Sequence, residues 1–216
     1  MTETNPQDLT GAAGDPSQAP AKKGGRRAAS RRRLLDAART LFVEKGYHDT
    51  RPQDIAKAAG LGHGTFYIHF TDKRDCFLAF VAEAQDELMG EIAAAGNPMP
   101  KSLDEMFTRV FDAIWAYTQK NPGVLQAVMS DPTIIAPQIA PNETIVDVWA
   151  RDWAAGIQAG VEFGEARPDL DYNLVGYLIV GMLQALVFYS RGDGASPMAA
   201  RDELIKFITS AIEPRT

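Results

Sequence analysis

Residues 61–70, LGHGTFYIHF, put many polar groups into a short apolar segment. They include two of the three histidines of the chain, two glycines, a threonine and a tyrosine. Gly60, just before them, is a residue type that ends helices, and another helix is predicted to begin about three residues later. Two short helices joined by a tight, glycine-containing turn form a helix-turn-helix, whose second helix enters the major groove of DNA. The segment is therefore predicted to be a recognition helix.

The aromatic residues of this segment indicate which face the helix displays. Phe66 and Phe70 are four residues apart, so they share one face and anchor the helix to a core. The outward positions can bond base edges or phosphates or, at the glycine, allow close approach of the backbone. These positions are His63, Gly64, Thr65, Tyr67 and His69. Lys73 is predicted to add a phosphate contact from the next helix, which Asp72 caps.

The rest of the chain also reads as helical. Helical periodicity begins at Ser30, and the two-residue alternation typical of strands is not seen. The first helix is predicted to end at Gly46, a second to open at Pro52, and a long one to start after Asp72. Further helices are predicted near 101–120, 122–130, 143–165, 171–190 and 197–212. The predicted fold class is all-α, with a three-helix head at the N-terminus and a helical body behind it.

Composition narrows the class of protein. The chain has 216 residues, of which 45% are hydrophobic, enough for a substantial core. Its one cysteine, Cys76, cannot form an intramolecular disulfide. The N-terminal residues lack the apolar stretch that is typical of a secretory signal. The most apolar run, 174–190, is short for a membrane span and contains Gln184, so it is interpreted as a buried helix. We expect a cytoplasmic protein without membrane contact, associated with the nucleoid.

Charge is distributed unevenly along the chain. Residues 1–21 carry three acidic and no basic side chains, and their composition predicts disorder. Residues 22–74 carry 13 Lys and Arg against 5 Asp and Glu, whereas residues 75–216 carry 9 against 20. A basic head on an acidic body indicates that only the head meets a polyanion. We therefore predict three parts: a tail over 1–25, a DNA-binding domain over 26–74 and a body over 75–216.

A basic arm leads into the first helix. A cluster of charges is often merely solvated, but here three arginines fall in the first turn of a helix, where the helix dipole disfavours cations. This placement favours contact with phosphates or an adjacent minor groove. The predicted contacts of the arm are Lys22, Lys23, Arg26, Arg27, Arg31, Arg32 and Arg33.

Residues 30–77 resemble the DNA-binding head of the TetR family of bacterial transcriptional regulators. The resemblance rests on ARTLFVEKGY (38–47), Thr50, DIAKAAGLGHGTFYIHF (54–70) and Lys73. It implies that Thr50, Arg51 and Gln53 belong to the DNA-contacting set. Gly62 stands where the family usually has a capping Ser or Thr, and Arg51 where a capping Thr is common. Gly remains a tolerable N-cap, and Arg51 could reach a phosphate instead.

The body is rich in large aromatic side chains on helices that prolines interrupt. Each aromatic residue could simply be core, but together they favour an enclosed cavity, and the family resemblance implies a small-molecule pocket here. The predicted lining is Phe107, Phe111, Trp115, Trp149, Trp153 and Met182, and the polar candidates are Asp112, Gln126, Asp152 and Gln184. A second set suits a subunit contact: Gly176, Leu178, Gly181, Leu183, Ala185 and Leu186.

Together these features predict a homodimeric repressor that a small apolar or aromatic ligand releases from a palindromic double-stranded DNA operator. One alternative is a TetR-like DNA-binding protein with no small-molecule inducer. Another is a helical enzyme, but the histidines all lie in the head and no nucleophile, metal or phosphate-loop motif is present. His63 and His69 are six residues apart, which is not a zinc-ligand spacing on a helix. We expect no metal and no cofactor.

Overall fold

The computed structural model describes residues 19–130, 145–189 and 197–214. Over these ranges the chain is helical without strands, which confirms the all-α prediction. The described helices are α1 (Ala19–Asp49), α2 (Pro52–Ala58), α3 (His63–His69), α4 (Lys73–Ala95), α5 (Leu103–Lys120), α6 (Val124–Met129), α7 (Ile145–Glu162), α8 (Tyr172–Tyr189) and α9 (Pro197–Ile212). Residues 1–18 of the predicted tail lie outside the described residues.

The helix boundaries of the head follow local chemistry. Gly46 has φ 79°, a conformation that favours glycine, and it interrupts α1 where the sequence predicts the end of the first helix. Pro52 opens α2, and the Asp72 carboxylate accepts a hydrogen bond from the Asp75 amide at 2.8 Å to cap α4. The start of α1 differs from expectation, because the helix begins at Ala19 and so includes residues 19–25 of the predicted tail.

The core of the head is aromatic and continues into α4. Phe42, Phe66 and Phe77 are fully buried in one hydrophobic cluster, and the rings of Phe42 and Phe77 meet edge to face at 5.0 Å. The same cluster extends along α4 to Leu88 and takes in Tyr117 and most of α6. Packing is therefore continuous across residue 74, where the sequence places the boundary of the DNA-binding domain.

The body forms a second core between α5, α7, α8 and α9, centred on Phe107, Ile157, Ile179 and Ile208. Helices α7 and α8 pack most closely at Gly176, where a Cβ atom would lie 2.0 Å from the Ala150 carbonyl oxygen. Only glycine allows that approach, so Gly176 serves packing inside the chain rather than the predicted subunit contact. Among the described residues, no helix is long and apolar enough to cross a membrane.

Candidate nucleic-acid interface and ligand cavity

The recognition helix α3 is seated as the sequence predicts. Phe66 and Phe70 are buried against the head, and their rings lie 5.5 Å apart. On the outer side, His63, Gly64 and Tyr67 are exposed, while Thr65 and His69 are half-buried at the edges of the face. Gly62 begins the helix without a side-chain cap. The displayed face therefore carries the hydrogen-bonding groups that base edges and phosphates require.

Sequence reasoning missed Ile68 on this helix. Its side chain is 60% exposed, although it is apolar. The signal was available, because Ile68 lies two residues from both Phe66 and Phe70 and so points away from the buried face. An exposed aliphatic group on a recognition helix suits contact with thymine methyl groups in the major groove.

Several predicted DNA contacts are exposed on the head surface. Arg26, Arg31 and Arg51 are exposed, as is Gln53 in α2. The guanidinium of Arg31 lies 5.2 Å from the centre of the Phe70 ring, which directs it along the end of α3. Lys22 and Lys23 fall within α1, but their side chains lie outside the described residues.

His69 sits among cations of the basic arm. Arg27 donates a hydrogen bond to the carbonyl oxygen of Ile68, at 3.3 Å, and so fastens α1 to the end of α3. Partial burial lowers the pKa of His69, and the nearby charges of Arg27 and Arg31 lower it further. This corner of the head concentrates positive charge beside the recognition helix.

The structure corrects the prediction for Thr50. Thr50 is fully buried, and its hydroxyl donates to the carbonyl oxygens of Leu41, at 3.2 Å, and Gly46, at 2.8 Å. It therefore fastens the end of α1 to the start of α2 and does not reach DNA in this conformation. The cause is the turn after Gly46, which carries the chain back under α1 and leaves carbonyl groups that need a donor.

Three predicted phosphate contacts have partners within the chain. Arg33 donates to the Ala59 carbonyl at 2.5 Å, in the turn before α3. Arg32 pairs with Asp36 and Glu83. Lys73 donates to the Tyr47 carbonyl at 2.8 Å and lies over the Tyr47 ring, and burial lowers the pKa of its amine. Arg33 thus fastens α1 to the turn before α3, Lys73 fastens the start of α4 to the end of α1, and Arg32 links α1 to α4. Their contact with DNA stays a prediction.

The body contains a cavity of about 440 Å³ bounded by α4 to α9. Four of the predicted lining residues are in its wall: Phe111, Trp115, Trp149 and Trp153. Phe107 is instead fully buried behind the wall, stacked on Trp153 at 5.3 Å, and Met182 is half-buried outside it. Both corrections arise because neighbouring turns of one helix face different layers of the body.

The sequence did not predict several other parts of the cavity wall. Helix α4 contributes Leu88, Met89 and Ile92, and α6 contributes Leu125 and Met129. Leu183 and Leu186 also line the cavity, which corrects their assignment to a subunit contact. Helical spacing puts Leu88 and Ile92 on one face of α4, but it does not distinguish a filled core from a cavity wall.

The polar groups of the wall are few. Of the four predicted candidates, Asp152 lines the cavity, whereas Gln126 and Gln184 do not. Asp112 is exposed and pairs at 2.6 Å with Arg201, a wall residue that sequence reasoning missed. A signal existed, because Arg201 is four residues before the buried Ile205 and seven before Ile208, on the apolar face of α9.

A helix-turn-helix head with an exposed polar recognition face, joined to a helical body that contains an apolar cavity, is the architecture of a DNA-binding transcription regulator. The family described as "Bacterial regulatory proteins, tetR family" matches residues 34–80. The transcriptional repressor KstR2 of Rhodococcus jostii is 31% identical over 148 residues, which are 67% of this chain and 71% of that protein. The chain belongs to the TetR family, and it is a regulator rather than an enzyme.

Other relatives and solved structures are also similar to this chain. The KstR2 repressor of Mycolicibacterium smegmatis is 32% identical over 152 residues, 68% of this chain and 73% of that one. Two solved structures share the fold. The ketosteroid transcriptional regulator KstR2 of Mycobacterium tuberculosis has a TM-score of 0.64 at 21% identity, over 86% of this chain and 95% of that chain. The fatty acid degradation regulator FadR of Bacillus halodurans has a TM-score of 0.71 at 20% identity, over 83% and 94%.

Proposed function

We propose that this chain acts in the cytoplasm, at the nucleoid, as a dimeric repressor that a small apolar ligand releases from a palindromic operator. The observation that carries the proposal is that α4 takes part in both halves of the chain. Phe77 and Phe80, near its start, are buried in the head core, whereas Leu88 and Ile92, further along, line the cavity. A ligand that displaces the wall would therefore tilt a helix whose first turns share a hydrophobic core with the recognition helix.

Helix α6 supports a second route between cavity and head. Leu125 and Met129 line the cavity. At the start of the helix, a Cβ atom added to Gly123 would lie 2.7 Å from Cγ1 of Val43, so α6 lies directly against α1. A ligand that prefers the DNA-incompetent arrangement weakens operator binding, and operator DNA weakens ligand binding by the same factor. A 100-fold effect requires about 2.7 kcal/mol of coupling.

A homodimer through α8 and α9 is supported by an apolar stripe on the outer face of α8. Leu174, Leu178, Gly181 and Ala185 follow helical spacing and are all exposed. The two small residues would let a second copy of the helix approach closely. Phe207 of α9 is also 64% exposed. Two-fold symmetry would place two recognition helices about 34 Å apart, one turn of DNA, and so favour a pseudo-palindromic operator.

The three-part division of the chain remains part of the proposal: a tail over 1–25, a DNA-binding head over 26–74 and a ligand-binding and dimerisation body over 75–216. The relatives named for ketosteroids and for fatty acid degradation support an apolar ligand class. A repressor without an inducer is the second candidate.

The test is release of operator DNA. Duplexes that the protein retains from a random pool supply the operator, and its binding is titrated with a panel of apolar compounds. We expect some compounds to release DNA from the wild type, and Trp115→Ala to blunt release while binding DNA normally without ligand. If no compound in a broad panel released DNA, the ligand-responsive part would fail and the second candidate would stand.

A further inference from the structure

Ile68 lies at the centre of the outer face of α3. Phe66 and Phe70, the C-cap of this helix, are both buried. Successive residues of an α-helix are about 100° apart around its axis, so Ile68 points about 180° away from the mean direction of the two phenylalanines. On the same count, Gly64 is about 40° and Thr65 about 60° from the direction of Ile68. The side chain at the middle of the recognition face is therefore aliphatic.

The surface around Ile68 is open to a partner. Its side chain is 60% exposed. Gly64 lies one turn earlier on the same face, and a Cβ atom added there would meet nothing within 4 Å. Because Gly64 has no side chain, a partner can approach Ile68 closely from the start of the helix. Ile68 thus forms a small apolar patch on a face whose other side chains are polar.

Cations flank this apolar patch. Arg27 donates a hydrogen bond to the carbonyl oxygen of Ile68 at 3.3 Å, and the guanidinium of Arg31 lies 5.2 Å from the centre of the Phe70 ring. Both arginines are exposed. A purely apolar protein surface laid over Ile68 would strip water from these charges without replacing it, which is costly. The surroundings of Ile68 instead suit a partner that carries negative charge beside an apolar group.

The major groove of DNA has this combination. Phosphates line both of its edges, and the C5-methyl group of thymine is the apolar group that base pairs present on its floor. Cytosine carries only a hydrogen atom at the same ring position. An aliphatic side chain at the centre of a recognition helix can therefore distinguish thymine from cytosine without a hydrogen bond.

We propose that Ile68 is a specificity-determining residue, which packs against the C5-methyl group of one thymine in each half of the operator. This inference rests on the proposed function, because it names a base feature that the outer face of α3 reads. It adds a sequence preference for which the hydrogen-bonding side chains of α3 do not account.

The test removes the methyl group from the DNA. A duplex that the protein retains from a random pool is remade with deoxyuridine in place of each thymine in turn, which deletes the methyl group and preserves base pairing. Fluorescence anisotropy measures the affinity of the protein for each duplex. We expect one thymine position in each half-site at which deoxyuridine weakens wild-type binding about fourfold, the ratio expected for the burial of one methyl group.

Variants assign this effect to one side chain. Ile68→Ala removes the aliphatic group at an exposed position, and alanine favours helices, so the head should remain folded. We expect Ile68→Ala to bind the thymine and deoxyuridine duplexes equally, and the thymine duplex about fourfold or more weakly than the wild type does. Thr65→Ala is the matched control, because it truncates a neighbouring side chain of the same helix. It should weaken binding of both duplexes and keep the fourfold difference between them.

The outcomes separate this inference from the proposed function. Retained duplexes that are insensitive to deoxyuridine at every position would overturn the inference and leave DNA binding intact. A fourfold difference that persists in Ile68→Ala, or that disappears in Thr65→Ala as well, would overturn it too, because the effect would not belong to Ile68. Retention of no duplex at all would contradict the proposed function, and the inference with it.

Discussion

Arg39 of α1 and Glu87 of α4 form a bidentate ion pair where the head meets the body. Nη1 and Nη2 of the guanidinium lie 2.9 Å from Oε1 and Oε2 of the carboxylate. The Tyr117 hydroxyl of α5 donates to the same carboxylate at 2.9 Å, and the Asn121 side-chain oxygen accepts from Arg39 at 2.7 Å. One carboxylate therefore ties together α1, α4 and α5, between the recognition helix and the cavity.

Glu87→Gln should weaken the contacts among α1, α4 and α5 and change how the stability of the fold depends on pH. The hydrogen bonds from Arg39, then Tyr117, hold the pKa of Glu87 below its ordinary value of 4.5. Because the pKa of Glu87 is lower in the folded protein than in the unfolded chain, its ionised carboxylate stabilises the fold above pH 4.5. This stabilisation is lost as the pH falls through the pKa of Glu87 in the folded protein. We expect Glu87→Gln to cost roughly 1–2 kcal/mol at pH 7 and less at pH 3.5, by urea unfolding.

Glu91→Gln is the control for that measurement. Glu91 pairs with Lys120 at 2.6 Å, but the lysine side chain is largely exposed, so its loss should change the unfolding free energy by under about 0.5 kcal/mol. Equal effects of the two substitutions would mean that the Arg39 network contributes no more than a surface pair.

Thr50→Val tests the corrected role of Thr50. Valine keeps the shape and removes the hydroxyl, so the carbonyls of Leu41 and Gly46 lose a buried donor. We expect the head to lose about 1–2 kcal/mol of stability, measured by urea unfolding, and the folded protein to bind operator with wild-type affinity. A stable variant with weakened DNA binding would restore Thr50 to the DNA-contacting set.

The thiol of Cys76 reports on the packing of α4 in the head. Burial raises its pKa to about 12, so at pH 8 the reactive thiolate is nearly absent. We expect Ellman's reagent to label the folded protein at least a hundredfold more slowly than the protein in 6 M urea. Rapid labelling of the folded protein would show that the head opens at the start of α4.

Leu178→Asp tests the dimer face. Leu178 is 54% exposed within one chain, and a charge there would be buried without a partner in a dimer formed through α8. We expect sedimentation to show a dimer for the wild type and a monomer for the variant, with the helical circular dichroism unchanged. A wild-type monomer at micromolar concentration would contradict the proposed assembly.

Residue spacing predicted the head better than the body. Phe66 and Phe70 orient α3 through local helical geometry. Gly46 and Asp72 affect the chain only within about one helical turn of their own positions, so the sequence was sufficient to predict their roles. The partners of Thr50, Arg33 and Lys73 could not be predicted, because they are backbone carbonyls brought close only by folding. Phe107 and Arg201 illustrate the same limit in the body, since layers and cavities depend on how distant helices pack.

The central claim is that the exposed face of α3 reads DNA, and the most direct test is operator affinity against salt concentration for the wild type and Thr65→Ala. With about ten phosphates neutralised per dimer, the logarithm of the association constant should fall with that of salt at a slope near −9. Thr65→Ala should give a parallel line, weaker by roughly 1–3 kcal/mol, because a lost base contact leaves the phosphate contacts intact. Coincident lines, or affinity insensitive to salt, would contradict the account.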